Sequence, residues 1–462
     1  MMHNNGHSRI RRAHALKAAL LASALVAGLT AACDSDDSSS PPATPPLQQD
    51  GGVESGTQPR EWWNLGFKDE LYNEITLFYL GQTWHQAADV GEVLETAARV
   101  DELDPKSWTR EWRKTAERLG LLAQESERNG HPLSASHAYL RSATYYRAAL
   151  HHYDGPMTTE GAHEIRELAQ REVDSFGKYL TLSKSPCEAV KIPYENTTLP
   201  GYFCKSSVAT GRAPTLLYMQ GRDGWAEDGR FIADEAMKRG YHVLMFDGPG
   251  QGQVVRLQGL PFRPDWDKVV TPVVDYAISR AEVDPAYVGL MSLSMGGFLG
   301  PRAATQEHRL RVLIPNPGVI DWSANMENAL DPALLALVDT DEAAFNAKMD
   351  ELMKRNPLLN WGIPDFMWHH GVDTPAKLIK DLRRYKMTPA EVGNITAHTL
   401  VVNAQAEGRG QAQELFDAIK SKKDYLLFTA AETAQFHDQP GAEAIATHRI
   451  LEWLEGSFSK AP

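Results

Sequence analysis

Two serines stand two positions apart in VGLMSLSMGGFLG, residues 288–300. A nucleophile on a sharp strand-to-helix turn needs small residues two places before and two places after it, because larger ones would strike the adjoining backbone. Centred on Ser294, those places hold Ser292 and Gly296; centred on Ser292, they hold Leu290 and Ser294. Leu290 is too bulky, so Ser294 is the candidate nucleophile. A serine hydroxyl needs a base, and the base needs a group that orients it. His437, in ETAQFHDQPGAEA, falls between the last expected strand and the last expected helix, at the same sheet edge as Ser294. His151, His152, His369 and His370 fall in helical stretches, as packing or pocket-wall residues. Glu407, the first carboxylate after HTLVVNAQ, is the expected orienting acid, and Asp321 in GVIDW is its rival. Asp438 is set aside, because adjacent residues do not easily bring a carboxylate against an imidazole. A developing oxyanion needs two fixed N–H donors. The backbone of Met295 supplies one; the turn QGRDGW supplies the other at Gly221 or Arg222, with Arg222 preferred.

These residues need a frame that brings strand ends to one edge. Short apolar runs alternate with helical stretches from PTLLYMQG to the closing AIATHRILEWLEGSF, which predicts an α/β fold with a mostly parallel sheet covered on both faces. Before it, residues 59–185 carry apolar residues at three- and four-residue spacing and read as an all-helical domain. Residues 186–321 and 396–462 form the sheet domain, and 322–395 a mainly helical insertion too long for a plain connection. CEAVKIPYENTTLPGYFC reads as a hairpin centred on Glu195-Asn196, which sets Cys187 opposite Cys204 and predicts a disulfide. Residues 1–32 have a positive n-region and an apolar stretch ending in small residues, an export signal. LTAAC resembles a bacterial lipobox with Cys33 as the lipidated residue. Residues 33–58 then form a disordered tether, with a reach on the order of 25–30 Å.

The chain has 462 residues, 42% hydrophobic and 23% charged, with a net charge of −13. That composition gives no basic surface for nucleic acid. With no H-E-x-x-H, no paired C-x-x-C and no G-x-G-x-x-G, no metal or organic cofactor is implied. FDGPGQGQ, SLSMGGF, FMWHHGVDTPAKLIKDLRRY, the late Glu407 and FHDQPGA, behind a helical region, resemble the α/β-hydrolases of the FrsA-like group. That group includes the polyketide-shortening hydrolases of the yellowish-green type and 2,6-dihydroxypseudooxynicotine hydrolase. The resemblance implies that residues 59–185 are a cap and the insertion a lid, together covering Ser294. It also implies hydrolysis of esters, or of C–C bonds beside a carbonyl, in small aromatic or polyketide-like substrates. Gln253 stands where that loop usually ends in Glu, and Gln220 where many hydrolases have His. Asp247 is expected to cap the loop. Trp62, Trp63, Tyr145 and Tyr146 are candidate pocket walls, with core packing the competing role. The expectation is a lipid-anchored exported serine hydrolase, periplasmic or at the cell surface, acting on a small-molecule substrate; a homodimer is left open. The alternatives are a dipeptidyl-peptidase-like peptidase, which would carry a β-propeller, and a binding lipoprotein on a catalytically dead hydrolase fold.

Overall fold

The computed structural model describes residues 63–153, 155–407 and 411–458. The expected signal and tether, Cys33 and Trp62 lie outside the described residues. Among the described residues, five α-helices precede the sheet: α1 (Glu70–Gly81), α2 (Val90–Ala97), α3 (Ser107–Arg128), α4 (Pro132–His151) and α5 (Thr159–Ser183). Their starts follow local chemistry. The Asp69 carboxylate accepts the Leu71 N–H at the head of α1, and Pro132 opens α4, where a missing N–H costs nothing. Trp108, Trp112, Tyr79 and Tyr145 fill the core between these helices, joined by Trp225 and Trp361 from later in the chain.

The sheet domain contributes β1 (Cys187–Tyr194), β2 (Thr197–Cys204), β3 (Ala213–Met219), α6 (Arg230–Lys238), β4 (His242–Phe246), α7 (Asp267–Ser279), β5 (Val283–Leu293), α8 (Gly296–Ala304) and β6 (Val312–Asn316). An insertion follows, with α9 (Ala324–Glu327), α10 (Pro332–Thr340), α11 (Glu342–Arg355), α12 (Pro357–His370), α13 (Pro375–Leu382) and α14 (Pro389–Val392). The sheet is completed by β7 (His398–Ala404), α15 (Gln411–Ala418), β8 (Lys423–Phe428) and α16 (Glu443–Phe458). Among the described residues the strands form one sheet of eight, ordered β1-β2-β4-β3-β5-β6-β7-β8. β2 pairs antiparallel with β1 and β4; the remaining pairs are parallel. Neighbouring residues face opposite layers, as strand geometry requires. Leu217, Leu244 and Leu290 pack with α7 and α8, while Leu216, Val243 and Met291 pack with α6 and α16. The hairpin register pairs Cys187 with Cys204, and a disulfide joins them.

After β3 the chain moves to β4 on one side, then returns to β5 on the other. Such a reversal opens a crevice at the carboxyl ends of the two strands. The turn at Gly221 follows β3 and Ser294 follows β5, so both border that crevice.

Buried charge fastens the N-terminal helices to the sheet domain. Arg147 of α4 donates through Nε to Asp228 at 2.9 Å and through a terminal nitrogen to Glu172 of α5 at 2.7 Å. Asp228 belongs to the turn that leads into α6.

Candidate active site

Ser294 adopts φ 55°, a left-handed conformation that non-glycine residues rarely take. The turn holds it there: its N–H is shared between the Asn316 carbonyl at 2.7 Å and an Asp438 carboxylate oxygen at 3.1 Å. This strain lifts the hydroxyl off the sheet edge. Ser292 is wholly buried under α8, and its hydroxyl bonds to nothing. A Cβ on Gly300 would lie 2.4 Å from that oxygen, so the helix covers it.

The loop after β8 brings His437 over the turn. Its Nε2 is 2.9 Å from Ser294 Oγ and its Nδ1 is 2.8 Å from Glu407 Oε2. The rival, Asp321, lies elsewhere: it pairs with Lys386 at 2.6 Å and accepts from Ser323 Oγ and the Ala324 N–H. Asp438 makes no contact with Nδ1, yet its Oδ2 sits 3.5 Å from Nε2 of its neighbour. Adjacency was expected to keep it from the ring. The left-handed backbone at Asp438, φ 58°, turns the side chain back and removes that obstacle. Burial opposes a charge on His437, but the Asp438 and Glu407 carboxylates overcome it and push its pKa up to about 10.

The oxyanion donors depend on how the β3 turn is held. A Cβ on Gly221 would fall 2.7 Å from the Met295 nitrogen and 2.6 Å from Ser294 Cβ, so only glycine permits this approach. Gln251 donates to the Gly221 carbonyl at 3.0 Å and also to that of Gln220. In a trans peptide the N–H points opposite the C=O. The Arg222 N–H is therefore turned away from Gln251. Asp247 accepts from the Ala226 and Gln253 N–H groups at 2.8 and 2.9 Å, pinning the loop that carries Gln251.

The Arg222 side chain has its own task. It pairs with Asp223 at 2.9 Å and with Asp365 of α12, and its guanidinium lies 3.9 Å over the Phe366 ring. The insertion is thereby tied to the turn after β3. Asp223, Asp365 and His369 offer ligand atoms within 4.8 Å of one another, but Arg222 already balances both carboxylates. His369 donates through Nδ1 to the Gly250 carbonyl, and His370 pairs with Asp381 at 2.9 Å. His151 and His152 bond the hydroxyls of Tyr79 and Tyr72. Tyr145 and Tyr146 are buried within the cap, with the Tyr145 hydroxyl donating to Glu92, and Trp63 stands partly exposed.

Sequence reasoning missed Glu74 of α1. It is 7% exposed, and the charges of His437, Asp438, Glu407 and Asp223 all act on it. Its only sequence signal is a carboxylate at an otherwise buried position of a helix.

No family profile matches the chain. It is 28% identical over 415 residues to hydrolase LUC6 of a Fusarium species, across 85% of this chain and 97% of that protein. It is 29% identical over 417 residues to 20-hydroxy-prefusarin hydrolase FUS2 of Gibberella moniliformis, across 85% and 98%. The alpha/beta hydrolase psoB of Aspergillus fumigatus is 28% identical over 424 residues, across 85% and 94%. Among solved structures, 2,6-dihydroxy-pseudo-oxynicotine hydrolase superposes with a TM-score of 0.61 at 16% identity, covering 81% of this chain and 94% of that one. AbyA5 gives 0.55 at 18% identity, covering 82% and 94%. The coverage extends over the N-terminal helices and the insertion as well as the sheet. By its sheet order and its solved neighbours, the chain has the α/β-hydrolase fold, and the relatives it matches along most of their length are named hydrolases.

Proposed function

We propose that the chain is a serine hydrolase that cleaves esters, or C–C bonds beside a carbonyl, in small hydrophobic or aromatic substrates. The observation that carries this reading is the unbroken contact from Ser294 Oγ through His437 to Glu407, at 2.9 and 2.8 Å. Ser294 attacks the carbonyl and His437 takes its proton. Glu407 holds the ring and stabilises its charge. The Met295 and Arg222 N–H groups, beside Gly221, bind the oxyanion. His437 then activates water to clear the acyl-enzyme.

The relative named 20-hydroxy-prefusarin hydrolase and the structural neighbour named 2,6-dihydroxy-pseudo-oxynicotine hydrolase support a small-molecule substrate. The helices before the sheet support a small-molecule hydrolase over the peptidase reading, and the assembled Ser–His–Glu contact over a dead binding protein. Export and lipidation at Cys33 belong to the same proposal; the signal-like residues 1–32 and the Cys187–Cys204 disulfide support them.

A fluorophosphonate probe tests the reading. The wild type should be labelled at Ser294. Ser294→Ala should lose both label and turnover while Ser292→Ala keeps them. Labelling that survives Ser294→Ala would overturn it.

A further inference from the structure

Helix α1 places Glu74, Leu77 and Gly81 on one face, three and four residues apart. That face rests on the loop after β8. Leu77 lies against Gly441, and Gly81 meets the Glu443 carboxylate so closely that a Cβ there would be 1.7 Å from its oxygen. Glu74 continues the same face one turn earlier, where the charge of His437 reaches it. It is nine-tenths buried, and its Oε2 makes no hydrogen bond. An unpaired buried oxygen is costly. A site can sustain that cost where a ligand completes the bond.

We propose that Glu74 is the acid that delivers a proton to the enolate oxygen released when Ser294 cleaves the C–C bond of a β-diketone. The proposal rests on the serine-hydrolase reading and narrows its substrate to compounds with a second carbonyl beyond the scissile bond. Burial, then the nearby Asp438, Glu407 and Asp223 charges, hold the Glu74 carboxyl well above the ordinary carboxylate range against the pull of His437. Burial thus favours the protonated carboxyl, the form that has a proton to give. Ser294 Oγ bonds to one carbonyl carbon and its proton passes to His437. The C–C bond breaks, and its electron pair forms the enolate of the second carbonyl. Glu74 protonates that oxygen, leaving an enol and a Glu74 carboxylate. His437 returns its proton to Glu74, then deprotonates the water that hydrolyses the acyl-enzyme. The sum is one diketone and one water giving one acid and one ketone.

Benzoylacetone and p-nitrophenyl acetate separate the roles, because nitrophenolate leaves without a proton. In Glu74→Gln the ratio of benzoylacetone to ester kcat should fall roughly 100-fold, within the usual span for a lost general acid. Glu74→Asp should restore part of it. A ratio within about threefold of wild type overturns the proposal. Should Glu74→Gln fail to fold, the wild-type ratio decides: it should fall as pH rises and Glu74 ionises, and a flat ratio overturns the proposal. A wild type labelled at Ser294 that cleaves only the ester overturns it and leaves the serine-hydrolase reading standing. Absence of label at Ser294 overturns both.

Discussion

At the scale of single residues, the chemistry turns on how many carboxylates crowd one imidazole. In the proposed role, His437 must be neutral to accept the Ser294 proton, yet Asp438 and Glu407 outweigh burial and set its pKa near 10. The kcat/KM for an ester should therefore keep rising with pH toward about 10, where an unperturbed histidine would level off above roughly pH 7. Asp438→Asn removes the larger of the two favourable charges and should move that limb down by at least about one unit. A pH–rate profile of both proteins checks this; identical limbs near 6.5 would refute the electrostatic account. Ser294, Glu407 and His437 could be found in the sequence because each sits next to a strand, in the order the sheet imposes. Glu74 could not, since only the folded cap brings it near a histidine more than 300 residues away. Asp438 is not the orienting acid, as expected, but its approach to Nε2 escaped for a related reason: its left-handed backbone is not written in its neighbours' side-chain types.

At the scale of elements, the meeting of α1 with the start of α16 is the sensitive seam. Burial raises the Glu443 carboxyl to about 7, partly offset by its own N–H and that of Gly441. Its folded pKa thus lies above the ordinary 4.5, so the unfolded chain loses this proton first as pH rises. The stability associated with the neutral form is complete below about 4.5, drains away between 4.5 and 7, and stays lost above. Glu443→Gln should accordingly stabilise the protein at pH 8, by up to about 3 kcal/mol, and by less at pH 5. Thermal melts at the two pH values test this, and a gain that does not grow with pH would contradict it. The hairpin of β1 and β2 was legible because opposed residues share one index sum, so a single turn assignment fixed Cys187 against Cys204. The insertion could be read as helical, but not where it anchors: Arg222 reaches across 143 residues to Asp365.

At the scale of the whole molecule, the Arg147–Glu172–Asp228 group joins the N-terminal helices to the sheet domain through buried charge. Arg147→Ala would strand two buried carboxylates, which typically costs 3–5 kcal/mol, about as much as many domains have to spare. Calorimetry should show the wild type unfolding in one transition and the variant at a much lower temperature. A shift within about 1 kcal/mol would mean that the cap holds by apolar packing alone. Local pattern separated the two regions cleanly near residue 186, because helical periodicity ends there and strand alternation begins. The charge that crosses that boundary is invisible to any window. It also bears on how such enzymes could be recombined. A chimera spliced at residue 186 would set one parent's arginine against the other parent's turn, whereas a junction placed after Asp228 keeps donor and acceptor in the same inherited segment. Where the chain is best cut in two is thus decided by a charge on the far side of the visible border.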